Sequence, residues 1–417
     1  MKRILLALLA VVALLSVLVL VLSFSKRSVR QPATTLDARP TSVTVVAEAE
    51  RSPLPTPLPT APVSALDNIQ IGEPRVVFTH SSVIGVIEWL PNSQEVLLTL
   101  QQPDVLTETI ELLNIASGQR RFLAARPAEE SRPVWLDGPN QVAYAMYPDT
   151  AQTDHEVRIA GPGNSLNVHR PANVGKINAA ISGRGDRLLV VEQNRARILK
   201  VSANHQATEE SVIDLKKDGF EPENWRTRFR TEWSPSGEKV ALYDTQGFAI
   251  LDLPSGQLRR YNLGEEHSEA YGYGPRWVYN ARWSPKGERI ALITTVSERI
   301  SLFRYTDLTI LNVLTGKFVN TKIGQYVTDV TWDPRGRFMA TLINIGQRDG
   351  AGLEGIFLVD GTNGEYRQFL PKQEFWGGQS GVGIAWNPSG KQIVMNCPTR
   401  LEGRLCLIDV QINSLPK

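Results

Sequence analysis

Beyond residue 70 the chain repeats one pattern of apolar and polar positions: an apolar run ending in tryptophan, a tight polar turn, then a second apolar run. Trp233-Ser234-Pro235-Ser236-Gly237 precedes Val240-Ala241-Leu242, and Trp283-Ser284-Pro285-Lys286-Gly287 precedes Ile290-Ala291-Leu292. Trp332-Asp333-Pro334-Arg335-Gly336 and Trp386-Asn387-Pro388-Ser389-Gly390 begin two further copies. Degraded copies start at Trp89, Trp135 and Ile181, so seven anchors stand 46 to 54 residues apart. Pro presets a φ near −65° and Gly supplies the positive φ that closes a hairpin, so each motif is a strand–turn–strand corner.

After each corner the pattern predicts a third strand and a fourth. Third strands are legible at Glu111–Ile115, Phe248–Asp252, Leu308–Asn312 and Gly355–Asp360, and fourth strands at Arg120–Leu123 and Tyr366–Leu370. Four-stranded units at this period predict an all-β, seven-bladed β-propeller over 69–417, with six or eight blades as alternatives. The last unit ends with its third strand, Leu405–Val410, while Arg75–Thr79 has no unit of its own. The expected closure is therefore an N-terminal clasp, with Arg75–Thr79 completing the last blade.

The repeated Trp-Ser-Pro-x-Gly followed by a short apolar strand resembles the WD-like repeat of TolB-type propellers of bacterial envelopes. The resemblance covers about residues 75 to 417 and implies the fold and a general binding role, because such propellers dock partners or serve as accessory domains of peptidases. The chain departs from TolB in lacking its N-terminal α/β domain.

That place is taken by a different N-terminus. Ile4–Phe24 is apolar except for Ser16 and Ser23. These 21 residues span about 30 Å as a helix, so residues 1–30 read as an uncleaved signal anchor or transmembrane helix with basic flanks. Ser23-Phe24-Ser25 leaves cleavage and secretion as the alternative. Residues 31–68 hold seven prolines and many Thr, Ala and Ser, the composition of a polyproline-rich stalk. Lys2 and Arg3 are balanced by Lys26, Arg27 and Arg30, so charge gives no orientation. The linker and the cysteine pair place the propeller outside the cytoplasm.

Composition narrows the chemistry. With 45 Lys+Arg against 43 Asp+Glu and a net charge of +2, no basic stripe argues for nucleic acid. Two cysteines and five scattered histidines, with no CxxC or HExxH spacing, predict no metal and no cofactor. Cys397 and Cys406 lie at facing ends of the second and third strands of the last unit, where a cross-hairpin disulfide is expected in an exported protein. Gly378-Gln379-Ser380-Gly381 fails as a nucleophile elbow at Val382, and Gly183-Arg184-Gly185-Asp186 occupies a turn position. No catalytic residue is predicted. The seven anchors read as packing between blades rather than as a ligand-binding aromatic ring.

Function on a propeller concentrates in its longer loops. In an up-and-down meander the connections between blades, and those between second and third strands, share one face. The longest predicted there hold Trp225, Arg226, Arg228, Tyr273, Arg276, Trp277 and Trp376, residue types of which binding hot spots are made. The expected function is a non-enzymatic, membrane-tethered, extracytoplasmic binding module or scaffold for a protein or envelope polymer. The rival is a propeller enzyme, a lyase or glycan hydrolase, with loop carboxylates such as Glu265, Glu266 and Asp349 converging at the channel mouth.

Overall fold

The computed structural model describes residues 64–413 except 102–106, 128–131, 147–155, 162–163, 170–179, 193–194, 216–229, 245–246, 269–271, 296–305, 322, 324–326, 344–354, 372–382 and 398–402. The expected helix at Ile4–Phe24 and all of the stalk up to residue 63 lie outside these residues; among the described residues no helix is long and apolar enough to cross a membrane.

Seven antiparallel sheets follow one another along the chain. Their first strands are Val83–Trp89, Val134–Leu136, Ala180–Arg184, Arg230–Trp233, Trp277–Trp283, Val327–Trp332 and Ile384–Trp386. In blades 1 to 6 four consecutive strands pair in chain order, the meander that the repeat predicts. Predicted third strands match the structure closely: Phe248–Asp252 lies within Gly247–Asp252, and Gly355–Asp360 coincides with its observed strand.

Turn chemistry recurs at every corner. Gly237, Gly287, Gly336 and Gly390 all hold φ between 70° and 77°. Their equivalents in the degraded units, Ser93, Asn140 and Gly185, hold φ of 57° to 60°, so the conformation persists where two of the three glycines are gone. The Ser or Asp after the tryptophan caps the next strand from a buried position, while the buried Asn387 accepts from the Ser389 N–H within the turn at 2.7 Å. Ser234 Oγ accepts from the Lys239 N–H at 3.0 Å, Ser284 Oγ from the Arg289 N–H at 3.0 Å, and Asp333 Oδ1 from the Phe338 N–H at 2.6 Å.

Seven apolar clusters hold the ring together, and each lies between two blades and contains one anchor. Trp89 packs with Val394, Leu405 and Leu407 of blade 7, Trp233 with Leu189 and Val191 of blade 3, and Ile181 with Ala143 and Ile159 of blade 2. Each buried anchor of this kind contributes about 2–3 kcal/mol. Three indoles add a directional contact to the preceding blade. The Nε1–H of Trp89 donates to the Ala385 carbonyl (3.1 Å), that of Trp283 to Glu232 (2.9 Å) and that of Trp332 to Arg282 (2.9 Å). In each case the acceptor is the residue just before the neighbouring anchor. Trp233, whose neighbour carries Ile181 at the anchor, keeps a buried Nε1–H without a partner among the described residues.

The ring closes through blade 7. Its last strand, Gly403–Ile412, pairs on one side with Gln392–Asn396 and on the other with two N-terminal segments. Arg75–His80 pairs against Gly403–Leu407, as the clasp predicts, and Ile69–Ile71 extends the pairing to Val410–Ile412. The folded unit also starts earlier than its first strand. The 3-10 turn Ala65–Asn68, which composition assigns to the linker, buries Leu66 between blades 6 and 7. Cys397 and Cys406 form the expected disulfide with a Cα–Cα distance of 5.0 Å, and Cys406 stands opposite Met395 on one side and Val76 of the clasp on the other.

Two stability predictions follow from this construction. Trp332→Phe should cost about 1 kcal/mol more than Trp233→Phe in urea denaturation, because only the former removes a hydrogen bond. Replacing both cysteines with serine should cost about 2–3 kcal/mol, since a short loop is released from a cross-link. A reductant should bring the unsubstituted protein to the same midpoint and leave the double variant unchanged.

Candidate functional site: a charged group on the ring axis

Because strands alternate sides, residues one and three positions before an anchor share a face opposite to it. On the innermost strands that face borders the central axis. Glu88, Glu232 and Arg282 stand one residue before their anchors, and Arg132, Arg230, Asn280 and Asp329 stand at or near the third.

Asp329 of blade 6 is the hub. Its side chain is only 3% exposed and takes an ion pair from Arg132 Nη2 at 3.3 Å and one from Arg282 Nη2 at 4.0 Å. It also accepts from Asn280 Nδ2 at 3.2 Å, from the Val330 N–H at 2.9 Å and from the Ile384 N–H at 3.4 Å. Arg282 Nη1 meets Glu232 Oε2 at 3.3 Å, and Arg230 lies 4.7 Å from the Tyr279 ring centroid while donating to its carbonyl. Arg132 belongs to blade 2, so its contact with blade 6 crosses the axis.

The electrostatics follow from enclosure. Burial, reinforced by Asp137 and opposed by Arg132, raises the Glu88 carboxyl to about 7. Burial raises Glu232 to about 8, with Arg132 opposing and Glu88 and Asp329 reinforcing. Burial also raises Asp329 and Asp137, and it pushes the Tyr243 phenol up with help from Glu232. Burial works against the Arg132 guanidinium, but Asp329 and then Glu232 hold it above its ordinary value. The axis thus carries a firmly charged Arg132 guanidinium beside carboxyls that hold their protons to higher pH.

The loop residues fare differently. Trp225, Arg226, Arg228, Trp376 and Asp349 lie outside the described residues. Tyr273 lies in a short hairpin, Glu265–Ser268 with Gly272–Pro275, that forms a two-stranded sheet of its own between blades 4 and 5. Glu265 and Glu266 are on its first strand. Arg276 and Trp277 do not occupy a long loop. Trp277 opens the first strand of blade 5 and is 7% exposed, and the Arg276 side chain, 11% exposed, pairs with Asp307 at 3.0 Å. Both are absorbed by the ring's own packing. Among the described residues no group of three or more His, Cys, Asp or Glu is placed to hold a metal ion.

No family model matches the sequence, and no curated protein matches it. Solved structures do. An oligogalacturonate lyase from Vibrio parahaemolyticus is similar with a TM-score of 0.52 at 10% identity, over 82% of this chain and 96% of that one. TolB from Acinetobacter baumannii is similar with a TM-score of 0.42 at 13% identity, over 67% of this chain. The match spans 64% of the TolB chain's length. A Lactobacillus plantarum protein is similar with a TM-score of 0.43 at 15% identity, over 71% and 85% of the two chains. At these identities the fold alone is shared. The β-propeller that the repeated turn motif implies is the fold that the strand order shows.

The raised carboxyls set a pH dependence. Glu88 and Glu232 have ordinary values of 4.5, so between about pH 4.5 and pH 8 the folded chain holds protons that the unfolded chain has released. Stability therefore falls as pH rises through that window. Glu232→Gln should flatten the fall by about 1–2 kcal/mol between about pH 5 and pH 8.5, measured by urea denaturation at each pH.

Proposed function

We propose that the protein is a non-enzymatic binding propeller, tethered to a membrane by residues 1–30 and held outside the cytoplasm on its Pro-rich stalk. Its partner is a protein or envelope polymer that engages the long-connection face. The observation that carries this reading is the hairpin Glu265–Pro275, which belongs to no blade. A ring needs no such ribbon, and a lone two-stranded ribbon is marginal in water. Here its base is closed by the Arg276 N–H donating to the Gly264 carbonyl at 3.2 Å and is tied to blade 5 by the Arg276–Asp307 ion pair. An elaboration on the inter-blade face, anchored at one end, is the usual form of a recognition element on a rigid scaffold. The Cys397–Cys406 disulfide suits an oxidising compartment.

A second reading, a propeller enzyme, draws support from Glu88 and Glu232. Carboxyls at about 7 and about 8 lie in the range that suits a general acid or base at neutral pH.

The discriminating experiment is affinity capture of the full-length chain from gently solubilised membranes, beside a chain in which Glu265–Pro275 is replaced by a short Gly-Ser link. A stoichiometric partner captured by the intact chain and lost with the hairpin is expected. Absence of any partner, or one retained without the hairpin, overturns the docking reading and turns the search to chemistry on the axis.

A further inference from the structure

Arg132 is placed unusually for a structural arginine. It reaches from blade 2 across the axis, yet among the described residues its one hydrogen-bonding partner is Asp329, and that contact uses Nη2. Its side chain is 38% exposed, and among the described residues nothing takes a hydrogen bond from its Nε or Nη1. The Glu88 and Glu232 carboxyls act on this group electrostatically, and Arg282 stands on the far side of Asp329. Asp329 itself is saturated by two backbone N–H groups, Asn280 and two guanidiniums, which leaves it nothing further to offer Arg132.

An outward-facing guanidinium fork is matched by planar or tetrahedral oxyanions, which accept from two of its N–H groups at once. The neighbouring carboxyls, when protonated, add O–H donors rather than competing charge. We propose that the ring axis carries a binding site for a small oxyanion, a carboxylate or phosphate on a hydroxyl-bearing molecule, received by the free edge of the Arg132 guanidinium. The Glu88 and Glu232 carboxyls meet the ligand's hydroxyls. The site does not depend on the docking hairpin, and its failure would leave that reading intact.

The surrounding groups give the site a signature. The groups around it are Glu88 of blade 1, which Asp137 also influences, Arg230, Glu232 and Tyr243 of blade 4, Asn280 and Arg282 of blade 5 and Asp329 of blade 6. A bound anion favours the protonated carboxyls, so binding takes up protons and weakens as pH rises. A bound cation would do the opposite, releasing protons and binding better at high pH.

Isothermal titration of the full-length protein with glucuronate, inorganic phosphate and glucose, each in two buffers of different ionisation heat, tests this directly. Glucuronate and phosphate separate the two sources of oxyanion, and glucose is the neutral control. At least one anion should bind with proton uptake and with affinity falling about tenfold across the window in which Glu88 and Glu232 ionise. Arg132→Lys keeps the charge beside Asp329 but loses the fork, and should bind about tenfold more weakly with an unchanged urea midpoint. Glu88→Gln, which keeps a donor toward the ligand's hydroxyls but cannot titrate, should bind with a smaller proton uptake. Three results would overturn the proposal: no heat with either anion, proton release on binding, or an Arg132→Lys variant that folds and binds as the unsubstituted chain does.

Discussion

A circle of four-stranded sheets loses its long free edges only when its two chain ends meet inside one blade, and every other contact in this molecule presupposes that meeting. Gly403–Ile412 accepts both N-terminal segments along nearly its whole length, so the strand most remote in sequence from residue 69 is the one that residue pairs beside. The cluster between blades 7 and 1 joins Trp89, Val96 and Leu98 to Ala385, Val394 and Leu405, and without closure those surfaces would face water. The disulfide acts on the same blade. It fixes the end of Gln392–Asn396 to the strand that carries the clasp.

Much of this was legible because the determinants are local. The corner of each blade is encoded within five residues, and Ser, Asp or Asn after the tryptophan has a hydrogen-bonding reason that a reader of sequence can supply. Anchors repeat because each meets the same neighbour surface. Where the code had decayed, the backbone kept the geometry, as Ser93 and Asn140 show by holding φ of 59° and 57° without glycine. The inner half of the clasp, Ile69–Ile71, and the buried Leu66 were hidden because they adjoin a proline-rich stretch and are too short to show a period.

The axial group escaped for the opposite reason. Reading the residue before each anchor gives Glu, Val, Ala, Glu, Arg, Thr and Ala, a row with no apparent pattern. Its meaning lies in the circle, which brings Arg132 to Asp329 across 197 positions and Glu232 to Arg282 across 50. The rule that would have found it is geometric. Once a ring is inferred, the positions one and three before the anchors are lumen-facing, and charged residues there meet one another instead of solvent. The loop residues were chosen by type and length, and Arg276 and Trp277 show the weakness of that choice, since aromatic and Arg side chains also serve as packing where a loop turns into a strand.

Two constraints therefore hold the ring, one along its circumference and one across it. The clasp and seven apolar seams fix the order and closure of the blades, while Arg132 with Asp329 spans the axis between blades 2 and 6. An ion pair across a diameter tolerates little change in radius, because 332/(εr) falls while the enclosed charges stay desolvated. Loosening the clasp should then withdraw Arg132 from Asp329 before it unfolds any blade. A ligand on the axis that bound only the closed ring would stabilise closure by RT ln(1 + [L]/Kd).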